Sequence, residues 1–135
     1  MNDPVIIDAS VWLAVLLQEE GTIGIGNLLE NHTLLAPELI KYETANGIIV
    51  AKKRNRIPKN LNLEHFLDII VEFPIQTIPI EKWWQGSVKL IKRYDLTFYA
   101  AAYVGAAMSL KIPLVTLDKK VQSVMDSEKI QSIRI

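Results

Sequence analysis

Two aspartates stand where apolar runs end. Asp8 closes Val5-Ile6-Ile7, and Asp118 closes Pro113-Leu114-Val115-Thr116-Leu117. Short β-branched runs of this kind predict buried strands of a parallel sheet, and such sheets bind their ligands at the carboxyl ends of the strands. Both acids are therefore expected on one rim. Ionised and ~5 Å apart at an effective dielectric of ~20, they would repel by about 3 kcal/mol. A hard cation with oxygen ligands is the usual remedy. A third acid lies on a helix-like stretch: Leu39, Glu43, Asn46 and Val50 are spaced four, three and four apart and share one face, otherwise apolar. A lone polar residue on such a stripe is more often a satisfied buried group than a ligand. With two strand-end aspartates already lacking a counter-ion, the functional reading of this carboxylate and amide becomes the better one.

The elements that must position these residues alternate along the chain, as in an α/β domain with helices on both faces of a parallel sheet. Ser10 is the expected cap of a first helix reaching about Gln18. Thr22 to Glu30 predicts a second helix, weakened by Gly24 and Gly26, and Thr33 to Ala36 a short strand. Pro37 suits the first turn of a long helix ending near Lys53, before the break at Arg54-Asn55-Arg56-Ile57-Pro58. Asn62 to Phe73 predicts a helix, Ile75 to Ile80 a strand, and Glu81 to Arg93 a helix. Thr97 caps a helix running to about Leu110 that is apolar nearly all round, hence central. A capping box would place an acid three residues after Thr97, where the chain has Ala100. The strand before Asp118, a helix to about Ser127 and a last strand over Gln131 to Ile135 complete a sheet of about five strands.

Composition narrows the classes of function. The 135 residues suit a single domain spanning 1–135, and half of them are hydrophobic, which argues against disorder. Fifteen basic and fifteen acidic residues cancel, so any nucleic-acid site must come from local charge. The absence of cysteine excludes disulfides, thiolate metal sites and a cysteine nucleophile, and suits a reducing cytoplasm. Asp3 and Pro4 stand where a signal peptide would be positive and apolar, and no run approaches membrane-spanning length, so a cytoplasmic protein without membrane attachment is expected.

Four segments in order carry a family resemblance: Asp8-Ala9-Ser10; Pro37-Glu38-Leu39 with Glu43 and Asn46; Leu96-Thr97-Phe98-Tyr99-Ala100-Ala101-Ala102-Tyr103; and Thr116-Leu117-Asp118. Together they resemble a PIN domain, most of all a VapC-type toxin of a toxin–antitoxin pair, over nearly the whole chain. The resemblance implies a three-layer α/β/α fold and an endoribonuclease dependent on Mg2+ or Mn2+. It implies a cation that activates water and stabilises charge on the scissile phosphate. Asp8, Glu43 and Asp118 match three acids of the metal pocket, Ser10 and Thr116 supporting hydroxyls, and Asn46 the companion of the helical Glu. The remaining acid belongs at position 100, where Ala100 stands, and Asp95 is too early to replace it. The chain is thus expected to be inactive or strongly impaired, and more stable for the missing repulsion, as in a toxin inactivated by design or by natural loss. An antitoxin, an RNA substrate and a homodimer are the partners implied. The alternative is a catalytically silent PIN-like module that binds RNA or protein; a third reading is an acidic-pocket phosphohydrolase.

The surfaces are less specific. Lys52, Lys53, Arg54 and Arg56, with Lys59 nearby, form the densest basic run. It fits RNA phosphates and equally the ordinary neutralisation of a helix C-terminus. Trp12, Val15, Leu16, Ile23 and Leu28 suit either a groove for an antitoxin helix or core. Of Trp83 and Trp84, one ring is expected to be packed and one partly exposed. Gly24-Ile25-Gly26 lies within a helix and lacks the third glycine of a dinucleotide motif, and His32 and His65 have no neighbouring ligand at metal spacing.

Overall fold

The computed structural model describes residues 3–17, 23–57 and 62–133. Its sheet is parallel, with β1 (Asp3–Ile7), β2 (His32–Pro37), β3 (Gln76–Ile78) and β4 (Leu114–Val115) in the order β3-β2-β1-β4. Val5, Ile6, Ile7, Leu114 and Val115 are all buried, as strands covered on both faces must be. In this order the chain steps from β1 to β2 to β3 in one direction and then crosses back to place β4 on the other side of β1. The reversal makes the gap between β1 and β4 the switch point, where open α/β sheets form a crevice at their carboxyl ends.

The helices are α1 (Ala9–Leu16), α2 (Ile23–Glu30), α3 (Leu39–Lys53), α4 (Leu63–Glu72), α5 (Trp84–Arg93), α6 (Phe98–Leu110) and α7 (Lys119–Ser127). α1 packs on α3 and α3 on α4, while α5 and α7 pack on α6. Right-handed crossovers leading to opposite sides of β1 put these two sets on opposite faces of the sheet, giving three layers. α6 is the buried helix expected from its composition, with residues 101–107 all buried. It lies close against α5 because Gly105 admits the approach: a Cβ there would stand 2.6 Å from Ser87 Oγ and 2.9 Å from the Trp83 carbonyl oxygen. The buried Ser87 hydroxyl is satisfied at this crossing, 2.7 Å from the Trp83 carbonyl and 3.0 Å from that of Ala101. Trp83 is buried and Trp84 half-exposed, its ring edge-on to Phe98 at 4.7 Å.

Several boundaries differ from the sequence expectation. Asp8, not Ser10, caps α1, because its carboxylate is the one three residues before the free Val11 N–H. α1 is assigned to Leu16, and Gln18 lies outside the described residues. The third strand stops at Ile78, and a 3-10 turn over Ile80–Lys82 delays α5 until Trp84. Among the described residues four strands are formed rather than about five: at the expected last strand, a single parallel bridge joins Ser132 to Leu114, and residues 134–135 lie outside the described residues. No helix among the described residues is long and apolar enough to cross a membrane.

Candidate active site

The site is built at the switch point. β1 delivers Asp8 as it ends, 6% exposed, and two hydroxyls reach its carboxylate. Ser10 Oγ donates to Asp8 Oδ1 at 2.5 Å and accepts the Leu117 N–H at 3.1 Å. Thr116 Oγ1 donates to Asp8 Oδ2 and accepts the Asp118 N–H at 3.0 Å. Each hydroxyl therefore ties the end of β1 to the loop leaving β4, as supporting groups would. The Val11 N–H completes the set at 3.2 Å. Burial nevertheless holds the Asp8 carboxyl above its ordinary value of 3.8; the three hydrogen bonds oppose the rise and the charge of Asp118 adds to it. Asp118 itself is exposed and caps α7, its Oδ1 accepting the N–H groups of Lys120 at 2.9 Å and Val121 at 3.2 Å.

α3 brings Glu43 from the other side. Its carboxylate accepts a 2.6 Å hydrogen bond from the hydroxyl of Tyr103 on α6. Burial raises the Glu43 carboxyl, Tyr103 opposes that rise, and the charge of Asp8 reinforces it. Tyr103 is 3% exposed, and burial first, then Glu43, pushes its phenol far above the usual range, so it remains a proton donor. A backbone hydrogen bond at Ala9 acts in the opposite sense and draws the same hydroxyl toward the start of α1. Tyr103 is thus a site residue to which the sequence had assigned no role.

The stripe argument for α3 needs correction. Its buried face is Ile40, Thr44, Ile48 and Ala51, one residue round from Leu39, Glu43, Asn46 and Val50. The helix carries apolar residues on both strips, and the one with three aliphatic side chains turned inward. Glu43 consequently sits half-buried at the margin, where a ligand could reach it. Asn46 is exposed and makes no hydrogen bond to the acids among the described residues.

Position 100 lies at the opening of α6. Thr97 caps the helix as expected, its Oγ1 accepting the Ala100 N–H at 3.1 Å. Ala100 is half-buried one turn before Tyr103, so it shares the face that meets Glu43. Asp95 is fully exposed and pairs with Lys120 at 3.3 Å, so it does not substitute. The donor chemistry suits a hard divalent ion: carboxylate oxygens only, with Asp8 coupled repulsively to both Glu43 and Asp118. Their number does not complete a shell, since among the described residues no three His, Cys, Asp or Glu side chains are gathered closely enough to hold an ion.

The remaining candidates fall elsewhere. Lys52 and Lys53 form the last turn of α3, Arg54 caps it, and Arg56 follows Asn55, which is left-handed at φ 56°. All four cations are exposed, about 15 Å along the helix axis from Glu43. Trp12 belongs to the core, with its ring 5.6 Å from Phe73; the side chains of Ile23 and Leu28, and all of Lys59, lie outside the described residues. A cavity of about 240 Å3 opens behind the Thr116–Asp118 loop, against Gln122 and Asp126, without touching Asp8 or Glu43.

The whole arrangement has counterparts. A chain of a toxin–antitoxin complex from Klebsiella pneumoniae superposes with a TM-score of 0.64 at 15% identity, over 96% of each chain. A chain of VapBC2 from Rickettsia felis, bound to a DNA fragment from its promoter, gives 0.65 at 13% identity over 96% of this chain and 97% of that one. VapC20 from Mycobacterium tuberculosis, a sarcin-ricin loop cleaving toxin, gives 0.64 at 13% over 89% and 94%. At these identities the likeness is one of fold. No match was found among curated protein sequences. The PIN domain family model matches residues 5–126, a span that contains Asp8, Glu43, Ala100 and Asp118, and the chain accordingly belongs to the PIN domain family.

Proposed function

We propose that this chain is a VapC-type endoribonuclease toxin, dependent on Mg2+ or Mn2+, in which Ala100 leaves the pocket one carboxylate short and the activity lost or strongly impaired. The observation that supports this reading is the Asp8 carboxylate, buried at the β1–β4 switch point and in repulsion with Glu43 and with Asp118, with Ala100 one turn from the Tyr103 that holds Glu43. Asp8, Glu43 and Asp118 would hold the ion, with an acid at position 100 as the missing ligand. A bound divalent cation would supply Lewis acidity toward water and the scissile phosphate. The chain's own groups do the rest. Ser10 and Thr116 fix the rotamer of Asp8, and Tyr103 orients Glu43 by donating to it. The α6 N-terminus presents its positive dipole end to the same region.

By likeness to complexes of toxin with antitoxin, a small antitoxin is the proposed protein partner. RNA is the proposed substrate, with the Lys52 to Arg56 run as a distal contact to its phosphates, and a homodimer the proposed assembly. Ala100→Asp tests the activity. Cleavage of a structured RNA in Mg2+ or Mn2+ should rise at least about 100-fold, more than loss of an outer-shell partner typically costs, and should vanish with chelator. Equal rates in the two forms would remove the nuclease reading. They would favour the second one, a silent PIN-like module binding RNA or protein, which the ungathered ligand set also supports.

A further inference from the structure

The cavity of about 240 Å3 behind the Thr116–Asp118 loop is smaller than the pockets that enclose drug-sized ligands, and suits a ligand of about one side chain. Leu114, Leu117 and Ile133 give it an apolar side, and Gln122, Asp126 and Ser132 a polar one. Gln122 and Asp126 are one turn apart on α7, so they face it together. The polar atoms left free are mostly acceptors. Gln122 turns its amide nitrogen to the Thr116 carbonyl at 2.9 Å, which leaves its Oε1 as the free end. The Asp126 carboxylate accepts only, and neither it nor the Ser132 hydroxyl has a hydrogen-bond or ion-pair partner among the described residues. No lysine, arginine or histidine lines the cavity, so its charge is uncompensated.

A hard metal ion would find one carboxylate here and apolar wall where further oxygen ligands are needed. A guanidinium suits both sides: it presents a planar fork of donors to a carboxylate, is weakly hydrated, and carries an aliphatic stem that packs on leucine and isoleucine. We propose that this cavity binds a guanidinium head on a short aliphatic stem, the chemistry of an arginine side chain, with Asp126 as its counter-ion. The site is separate from the acidic pocket, since it touches neither Asp8 nor Glu43, and it stands whether or not the chain cleaves RNA. The two communicate through one loop. Thr116 lines the cavity and donates to Asp8, while Leu117 lines it and gives its N–H to Ser10. An occupant therefore packs against the residues that hold the Asp8 carboxylate in place.

Backbone amide NMR spectra of the full chain, titrated with N-acetyl-L-arginine amide, test the site. Shifts should centre on Gln122, Asp126, Ser132 and Ile133 and saturate in about the millimolar range, as so small a ligand allows. The neutral isostere N-acetyl-L-citrulline amide should bind at least about tenfold more weakly. Asp126→Asn, at an exposed position, should weaken the arginine form by a similar factor. Tighter binding of the blocked amide than of free arginine would support an arginine carried on a peptide, and the reverse a small molecule. Equal binding of the citrulline form, or indifference to Asp126→Asn, would overturn the proposal. So would shifts centred on Glu43 and lost in Glu43→Gln, which would make the cation a visitor to the acidic pocket. The absence of any saturable shift would overturn it as well.

Discussion

The α5–α6 crossing and the β1–β4 rim are both polar places in an apolar molecule, and they handle polarity in opposite ways. At the crossing the one buried hydroxyl, Ser87, finds two carbonyls, and glycine lets the backbones close over it. Nothing there is charged or left over. At the rim, Asp8 has three hydrogen-bond donors and still holds its proton too tightly, because burial and the neighbouring acid outweigh them. Polarity at the crossing stabilises the fold. At the rim it opposes folding, and the hydroxyls of Ser10 and Thr116 serve to aim a charge that the fold alone does not need.

Disturbing each region should separate the two roles. The largest effect belongs to the crossing: Gly105→Val forces atoms into space held by Ser87 and the Trp83 backbone. It should cost about 3 kcal/mol or more in chemical denaturation, at the upper end of ordinary overpacking. Thr116→Val should cost about 1–3 kcal/mol by leaving Asp8 Oδ2 buried without its donor. Asp8→Asn should act the other way, raising the melting temperature of the metal-free protein at neutral pH. The sign follows from linkage: an acid whose folded pKa lies above its unfolded value binds more protons when folded. Its ionisation therefore withdraws stability as pH rises from about 3.8 through the folded value. Melting curves across that window should show a decline in the parent chain that is smaller in Asp8→Asn. The smallest effect is Asn46→Ala, an exposed position, which should move stability by less than about 0.5 kcal/mol.

Much of the fold was legible because its signals are local. An apolar β-branched run ending in an acid can be seen within a few residues, and so can the Thr97 cap and the apolar girth of α6. The face of α3 was not, since Leu39 and Val50 mark one strip and Ile40 and Ile48 the next, and only the surrounding helices decide which turns inward. Choosing Asp8 over Ser10 as the cap depends on the backbone angle at the end of β1. Tyr103 escaped notice because its partner is sixty residues away in sequence. The short β3 and the single bridge at Ser132 reflect pairing at sheet edges, where tertiary context outweighs β propensity. The helical frame of position 100 was legible as well, since Thr97 caps α6 as expected and places Ala100 in its first turn.

The central claim is that the rim is a cation site lacking one carboxylate. Isothermal titration of Mn2+ into the chain and into its Ala100→Asp form tests it without reference to any substrate. Binding should be weak in the first and at least about tenfold tighter in the second, the lower end of what a supporting group contributes to a metal site. Equal affinities, or no binding by either form, would contradict the account.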